Sequence, residues 1–192
     1  MLKNKLLLHI VLWLSLLLAI ILFSRASWIL TKAYLATYLI DDAWQLTLEN
    51  KVVNKPWSWA DTWPVAEISI AKIGLHEIVL SGDSGEALAF GPGLSNRGAG
   101  LDESGIKLIS AHRDTHFSEL KNISVNDVIE ITSPQGHRQY TVSYLKIVDS
   151  RYYTIDADVE NNALVLVTCY PFDALTAGGF QRFVVYADEI SI

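Results

Sequence analysis

A single cysteine, Cys169, ends the apolar run Ala163-Leu164-Val165-Leu166-Val167-Thr168, and Arg182 opens a second such run thirteen positions later. With one cysteine there is no internal disulfide to form, so the redox compartment stays open in both directions. What a lone thiol can still do is attack carbonyl carbon. The attacking species is the thiolate, and a free cysteine with a pKa of about 8.5 is only slightly ionised near neutral pH. It therefore needs a proton acceptor or a cation beside it. The oxyanion formed after attack needs a donor aimed at it. Histidine can serve the first need and arginine the second.

Five histidines are available: His9, His76, His112, His116 and His137. His9 lies in an N-terminal apolar segment, His76 opens an apolar run, and His137 sits in the turn-like stretch Ser133-Pro134-Gln135-Gly136-His137. His112 differs, because it follows Leu108-Ile109-Ser110-Ala111 at the C-terminal end of a strand-like run, the same kind of place as Cys169. Two strands of one barrel ending at the same rim would bring both side chains to one groove. His112 and His116 also stand four apart with Asp114 between them, which raises a metal reading. The zinc-peptidase pattern needs Glu directly after the first His, on a helix. Here Arg113 takes that place in a strand-like flank. Two histidines and Cys169 could ligate zinc, but a cation next to the first ligand opposes it, and no metal or cofactor is expected.

Two arginines compete for the donor role. If Ile109 to Arg113 alternate as a strand, Arg113 points opposite to His112. Arg182 begins Arg182-Phe183-Val184-Val185-Tyr186-Ala187, a run readily paired antiparallel with the strand that ends at Cys169. That pairing would set Arg182 beside the thiol. A surface ion pair with Asp173 or Glu189 is the plainer role for Arg182.

The elements that must position these groups can be read from punctuation. Seven short runs rich in Val, Ile, Leu, Tyr and Thr lie between Val65 and Ala187, separated by Gly, Asp and Asn. They predict an all-β barrel or sandwich. Val65–Ile70 and His76–Leu80 flank Ala71-Lys72-Ile73-Gly74 as two strands with a tight turn. Glu86–Gly93 and Thr115–Ile123 are the helix-like interruptions.

Ahead of the β-rich part, Leu6–Phe23 is eighteen residues without Asp, Glu, Lys or Arg. As a helix it would reach about 27 Å, close to the roughly 30 Å hydrocarbon core of a bilayer. Lys3 and Lys5 precede it, as suits a cytoplasmic N-terminus. A cleaved signal peptide is the rival, with Ser24-Arg25-Ala26 as a loose cleavage site, but the apolar run exceeds the ~7–15 residues of a signal core. The expectation is an N-terminal membrane anchor over 1–26, a juxtamembrane helix and Trp-rich arm over 27–64, and a β-domain over 65–192. In the arm, Trp57, Trp59 and Trp63 stand among two prolines that prevent regular structure. They are expected to pack the arm onto the domain, or else to form an aromatic binding patch.

The chain of 192 residues is 51% hydrophobic, and past residue 33 it carries eleven Lys and Arg against twenty-one Asp and Glu, a net of about −10. An acidic domain without a basic stripe argues against a nucleic-acid partner.

Taken together, these residues resemble a sortase, the membrane-anchored cysteine transpeptidases of bacterial cell surfaces. Leu166-Val167-Thr168-Cys169 is similar to the family's nucleophile motif, Ser110-Ala111-His112-Arg113-Asp114-Thr115 to its histidine motif, and Gln181-Arg182-Phe183-Val184-Val185 to its arginine-bearing strand. Fainter likeness covers about residues 65 to 190. Asn126 stands where the family usually has Gly, and Ala111 where Gly is common before the histidine. The spellings around Cys169 and His112 are class D-like, and the Trp-rich arm is similar to that of proteobacterial sortases.

The resemblance implies an eight-stranded β-barrel with short helices behind a transmembrane helix. It makes Cys169 the nucleophile, His112 the acid/base or imidazolium partner and Arg182 the substrate and oxyanion clamp, with Ala111 beside the substrate and Thr168 either orienting the substrate through its hydroxyl or simply fitting the sheet. It implies cleavage of an LPxTG-like C-terminal sorting signal after Thr, through a thioacyl-enzyme, and transfer to an amine acceptor such as a cell-wall precursor. It also implies single-pass attachment to the bacterial cytoplasmic membrane with the catalytic domain extracytoplasmic. Two other readings stay open: a thiol peptidase that mainly hydrolyses, and a non-catalytic, membrane-tethered β-domain in which Cys169 is a small buried hydrophobe.

Overall fold

The computed structural model describes residues 2–155, 162–176 and 178–190. The chain divides into two compact units, residues 1–38 and 39–192. Helix α1 (Leu2–Asn50) begins in the first and ends in the second. In the first unit, α1 is long and apolar enough to cross a membrane, and side chains such as Leu14, Leu18 and Leu22 are exposed. This single N-terminal apolar helix fits a single-pass anchor.

In the second unit the helix buries Ile40, Ala43, Trp44 and Thr47, the three- and four-residue spacing of one helical face. Thr47 then accepts the backbone N–H of Asn54 at 3.1 Å and closes the helix end. The following arm has no helix or strand before Pro64. Its tryptophans do not act alike. Trp57 meets Phe90 edge-on at 5.5 Å, and Lys55 covers the Trp63 ring at 5.5 Å. Trp59, expected to pack with them, is 80% exposed. The polar tie from Thr62 Oγ1 to the Ser81 carbonyl at 2.8 Å fixes the arm beyond it.

Eight strands close into a barrel: β1 (Pro64–Ile70), β2 (Leu75–Ser81), β3 (Gly93–Leu94), β4 (Ile106–Ser110), β5 (Val128–Ser133), β6 (Gly136–Asp149), β7 (Ala163–Cys169) and β8 (Gln181–Glu189). Their order around the barrel is β1-β2-β3-β4-β7-β8-β6-β5. One helical turn, α2 (Gly85–Leu88), and two short 3-10 turns at Ala71–Ile73 and Ser118–Asn122 interrupt them. Two pairings are parallel, β2 with β3 and β4 with β7, and the others are antiparallel. The turn between β1 and β2 ends on Gly74 at φ 67°, a left-handed conformation that a glycine adopts without penalty. Asn126 holds a similar φ of 72° before β5, which a short polar side chain tolerates. That accounts for Asn in a place where the family usually has Gly.

The eighth strand, β3, is the one that the sequence runs do not announce. It is two residues long, and a Cβ on Gly93 would collide with the Gly82 carbonyl oxygen, so only glycine lets the strands approach there.

Alternation sorts the side chains. Ile68, Ile109, Leu164, Leu166 and Val185 face the barrel interior at 0% exposure. Truncating one such Ile or Leu to Ala costs about 2–5 kcal/mol. The opposite face of the β4-β7-β8-β6 sheet carries a second buried layer: Ile106, Val148, Val165, Val184 and Tyr186, with Tyr153 and Ile155 of the β6–β7 connection packed on it. Covering on both faces is why β7 reads as an unbroken apolar run rather than an alternating one.

Candidate active site

The parallel pairing of β4 and β7 sets the geometry. Ser110 aligns with Val167, and the Ala111 N–H continues the ladder to the Val167 carbonyl at 3.2 Å. Because the strands run the same way, both C-terminal ends emerge at one rim, β4 leading into His112 and β7 ending at Cys169. The antiparallel return of β8 then puts Arg182 directly opposite Cys169. Cβ atoms of such directly opposed residues lie about 4.5–5.5 Å apart. Cys169 shares its face with Val165 and Val167, the outer face of the sheet. The structure thus brings Cys169, Arg182 and the segment bearing His112 to one end of three adjacent strands.

The exposures suit groups that meet a ligand. His112 is exposed, while Cys169 and Arg182 are half-buried. Among the described residues the His112 ring has no hydrogen-bond partner. Arg182 Nη1 donates to the carbonyls of Gly179 at 2.6 Å and Gln181 at 2.9 Å, and among the described residues Nε and Nη2 take no partner. The ion pair expected as its plainer role is not what Glu189 makes, since that carboxylate takes Arg138 at 2.9 Å. No ion pair to Arg182 occurs among the described residues.

Thr168 and Ala111 are both buried in the structure. Thr168 is 2% exposed and donates its hydroxyl to the Ala111 carbonyl at 2.8 Å; Ala111 is 6% exposed. Both side chains lie on the inward side of the strands that hold Cys169 and His112. The hydroxyl takes the place of the next ladder rung and ties β7 to β4. The rule that separates neighbouring strand residues onto opposite faces already implied this for Thr168.

The remaining candidates are engaged elsewhere. His116 Nδ1 is 2.9 Å from Glu77 Oε2, His76 is 2.9 Å from Glu67, and His137 is 3.2 Å from the Thr132 hydroxyl. Among the described residues no group of three or more His, Cys, Asp or Glu is placed to hold a metal ion. Asp114 accepts from Arg113 Nε at 3.0 Å.

A cavity of about 390 Å³ lies on the outer face of the sheet, with Leu108, Ser110, Val167 and Val184 as its floor and Arg182 at its edge. Tyr153 and Ile155 wall it, and Asp83 and Arg97 line it with opposite charge. Sequence reading missed this wall, because the β6–β7 connection carries no motif. Its hold on the sheet is aromatic. The Tyr153 and Tyr186 hydroxyls are 2.8 Å apart, Tyr144 stacks on Tyr186 at 4.3 Å, and Lys146 Nζ stands 4.5 Å from the Tyr153 ring. Burial, then the Tyr153 hydroxyl, pushes the Tyr186 phenol well above its ordinary range.

The closed barrel thus carries a thiol, a guanidinium and the segment bearing an imidazole at one rim, beside this cavity. A sortase domain model matches residues 68–190. The chain belongs to the sortase family, and it is class D-like. It is 27% identical over 125 residues to Sortase D of Bacillus subtilis (strain 168), covering 65% of this chain and 63% of that relative's length, so it spans less than two thirds of that protein. In fold it is similar to a Clostridium perfringens Sortase D5 transpeptidase, with TM-score 0.64 and 20% identity, over 82% of this chain and 99% of that one. Sortase A from Corynebacterium diphtheriae gives TM-score 0.62 and 24% identity, over 70% of this chain and 64% of that one.

Proposed function

We propose that this protein is a membrane-anchored cysteine transpeptidase that cleaves an LPxTG-like sorting signal and transfers the released acyl group to an amine at the cell surface. The direct cross-strand pairing of Cys169 with Arg182, at the rim where β4 delivers His112, carries this reading. The signal lies in the groove floored by Val167 and Val184. Cys169 Sγ, its proton passed to His112, attacks the carbonyl carbon of the signal's Thr, and Nε and Nη2 of Arg182 donate to the oxyanion. His112 gives its proton to the leaving amine, the peptide bond breaks, and a thioester remains on Cys169. An incoming amine then attacks that carbonyl and yields its proton to His112. The new amide forms as the thiolate leaves. No cofactor enters the cycle. The partners are a secreted protein bearing the signal, the amine acceptor and, through α1, the lipid bilayer, with the barrel outside the cytoplasm.

The test uses the full chain in detergent micelles with an LPxTG-type peptide. Mass spectrometry should find the acyl adduct on Cys169, and Cys169→Ala should lose cleavage while its melting point stays. Added amine should appear in the product; release of free acid despite excess amine would mark a hydrolase instead. Arg182→Lys should lower kcat/KM by about 10²–10³-fold, because a point charge replaces a planar fork of donors. Full cleavage by Cys169→Ala would overturn the assignment of Cys169 as the nucleophile.

A further inference from the structure

Arg113 follows His112 in the chain, yet its side chain is 5% exposed and does something else. Nη1 donates to the Pro171 carbonyl at 2.7 Å, and Nη2 donates to the carbonyls of Ala174 at 3.1 Å and Thr176 at 3.0 Å. Nε meets Asp114 Oδ1 at 3.0 Å. One planar group therefore joins the residue after His112 to positions two, five and seven beyond Cys169. Those positions form the first half of the β7–β8 loop. Within that half Leu175 is fully exposed, and Phe172 packs edge-on to Phe183 at 5.3 Å. The second half is held from the other side, by Arg182 on the Gly179 carbonyl.

We propose that Arg113 is a positioning residue. Its guanidinium clamps the loop leaving Cys169 to the segment leaving β4, and so fixes the separation of thiol and imidazole at the rim. This rests on the reading of Cys169 and His112 as the reacting pair. A bidentate fork suits the task, since the three carbonyls are spread along a loop that a single ammonium cannot bridge. Small displacements of reacting groups matter: about 1 Å can cost on the order of 10²-fold in rate.

The experiment compares the full chain in micelles with Arg113→Ala and Arg113→Lys. It measures peptide cleavage, backbone amide exchange and thermal melting. Expected are exchange at residues 172–176 faster by about tenfold or more, and kcat lower by about 10- to 100-fold with KM within about threefold. Arg113→Lys should recover little of either. Unchanged kcat with a loosened loop would overturn the proposal. So would a raised KM with kcat retained, which would make the loop a substrate wall only. Exchange that rises equally in β4, β7 and β8 would show a general support of the fold, and would also overturn it. If the alanine variant does not fold, Arg113→Lys decides, because it keeps the buried cation. Cys169→Ala and His112→Ala run alongside: if they still cleave, the transpeptidase reading fails, whereas the loop exchange reports on the clamp itself.

Discussion

Replacing Thr168 by Val tests whether the hydroxyl next to the thiol holds the strands or meets the substrate. The shapes are nearly equal, so the change removes one donor and leaves the interior filled. In the structure that donor serves the Ala111 carbonyl at 2.8 Å, and Thr168 is 2% exposed. Water cannot readily replace it. A net hydrogen bond is worth about 1 kcal/mol, and a buried carbonyl left without a partner costs about 1–3 kcal/mol. The extra methyl of Val offsets part of this, so Thr168→Val should be less stable by about 1–2 kcal/mol. For a domain of this size each kcal/mol moves the melting midpoint by about 2–4 °C. Thermal unfolding followed by circular dichroism should fall accordingly, while KM for the sorting peptide stays within about twofold. An unchanged midpoint with KM raised tenfold would refute the inward assignment and return the hydroxyl to the groove.

Two further outcomes follow from packing and titration. Trp57→Ala should lose about 1–2 kcal/mol of stability with its edge-on contact to Phe90, whereas Trp59→Ala, at an 80% exposed site, should leave the melting point alone. Equal losses in the two variants would mean that the arm packs as a whole. Burial holds the Tyr140 phenol up at about 12, against 10.0 for a free tyrosine. Above pH 10 the unfolded chain gives up this proton first, so the stabilisation is full below pH 10 and drains away towards pH 12, by about 2–3 kcal/mol. Tyr140→Phe should flatten the alkaline fall of the melting point across that window. Tyr186, raised in the same direction, keeps some slope in the variant. An unaltered curve would show that the Tyr140 phenol does not sense the fold.

Much of the barrel could be read from local signals. Strand β1 alternates strictly and leads into a turn glycine at φ 67°, and both are visible in Ile68-Ser69-Ile70 and Lys72-Ile73-Gly74. The opposition of Cys169 and Arg182 also follows from two apolar runs joined by one loop. What stayed hidden depends on partners distant along the chain. β3 has two residues and no period, and it exists because β2 and β4 flank it. Lys107 is at 0% exposure, its Nζ donating to the carbonyls of Glu103 at 2.7 Å and Gly105 at 3.1 Å and to Asn162 Oδ1 at 3.3 Å. Burial lowers its pKa, and nothing in Ile106-Lys107-Leu108 distinguishes it from a surface lysine. The strand expected to run on to Arg113 ends at Ser110, so alternation does not set that side chain's direction, and its acceptors lie some sixty residues on.

The rim divides labour between rigid and adjustable parts, and the division has a physical reason. Cys169 and Arg182 belong to strands whose other face fills the barrel, so their backbone cannot shift without disturbing Leu166 and Val185. His112 has no such support, since β4 ends at Ser110 and the next residues turn away. Its position is set by three polar ties instead: the Ala111 N–H on Val167, the Thr168 hydroxyl on the Ala111 carbonyl, and Arg113 on the loop beyond Cys169. These three ties join the histidine segment to the cysteine segment, while His116, 2.9 Å from Glu77, holds the same stretch to β2. The backbone on either side of His112 is thereby held to the segment that carries Cys169. For acyl transfer the relative register of imidazole and thiol is the geometric quantity that matters.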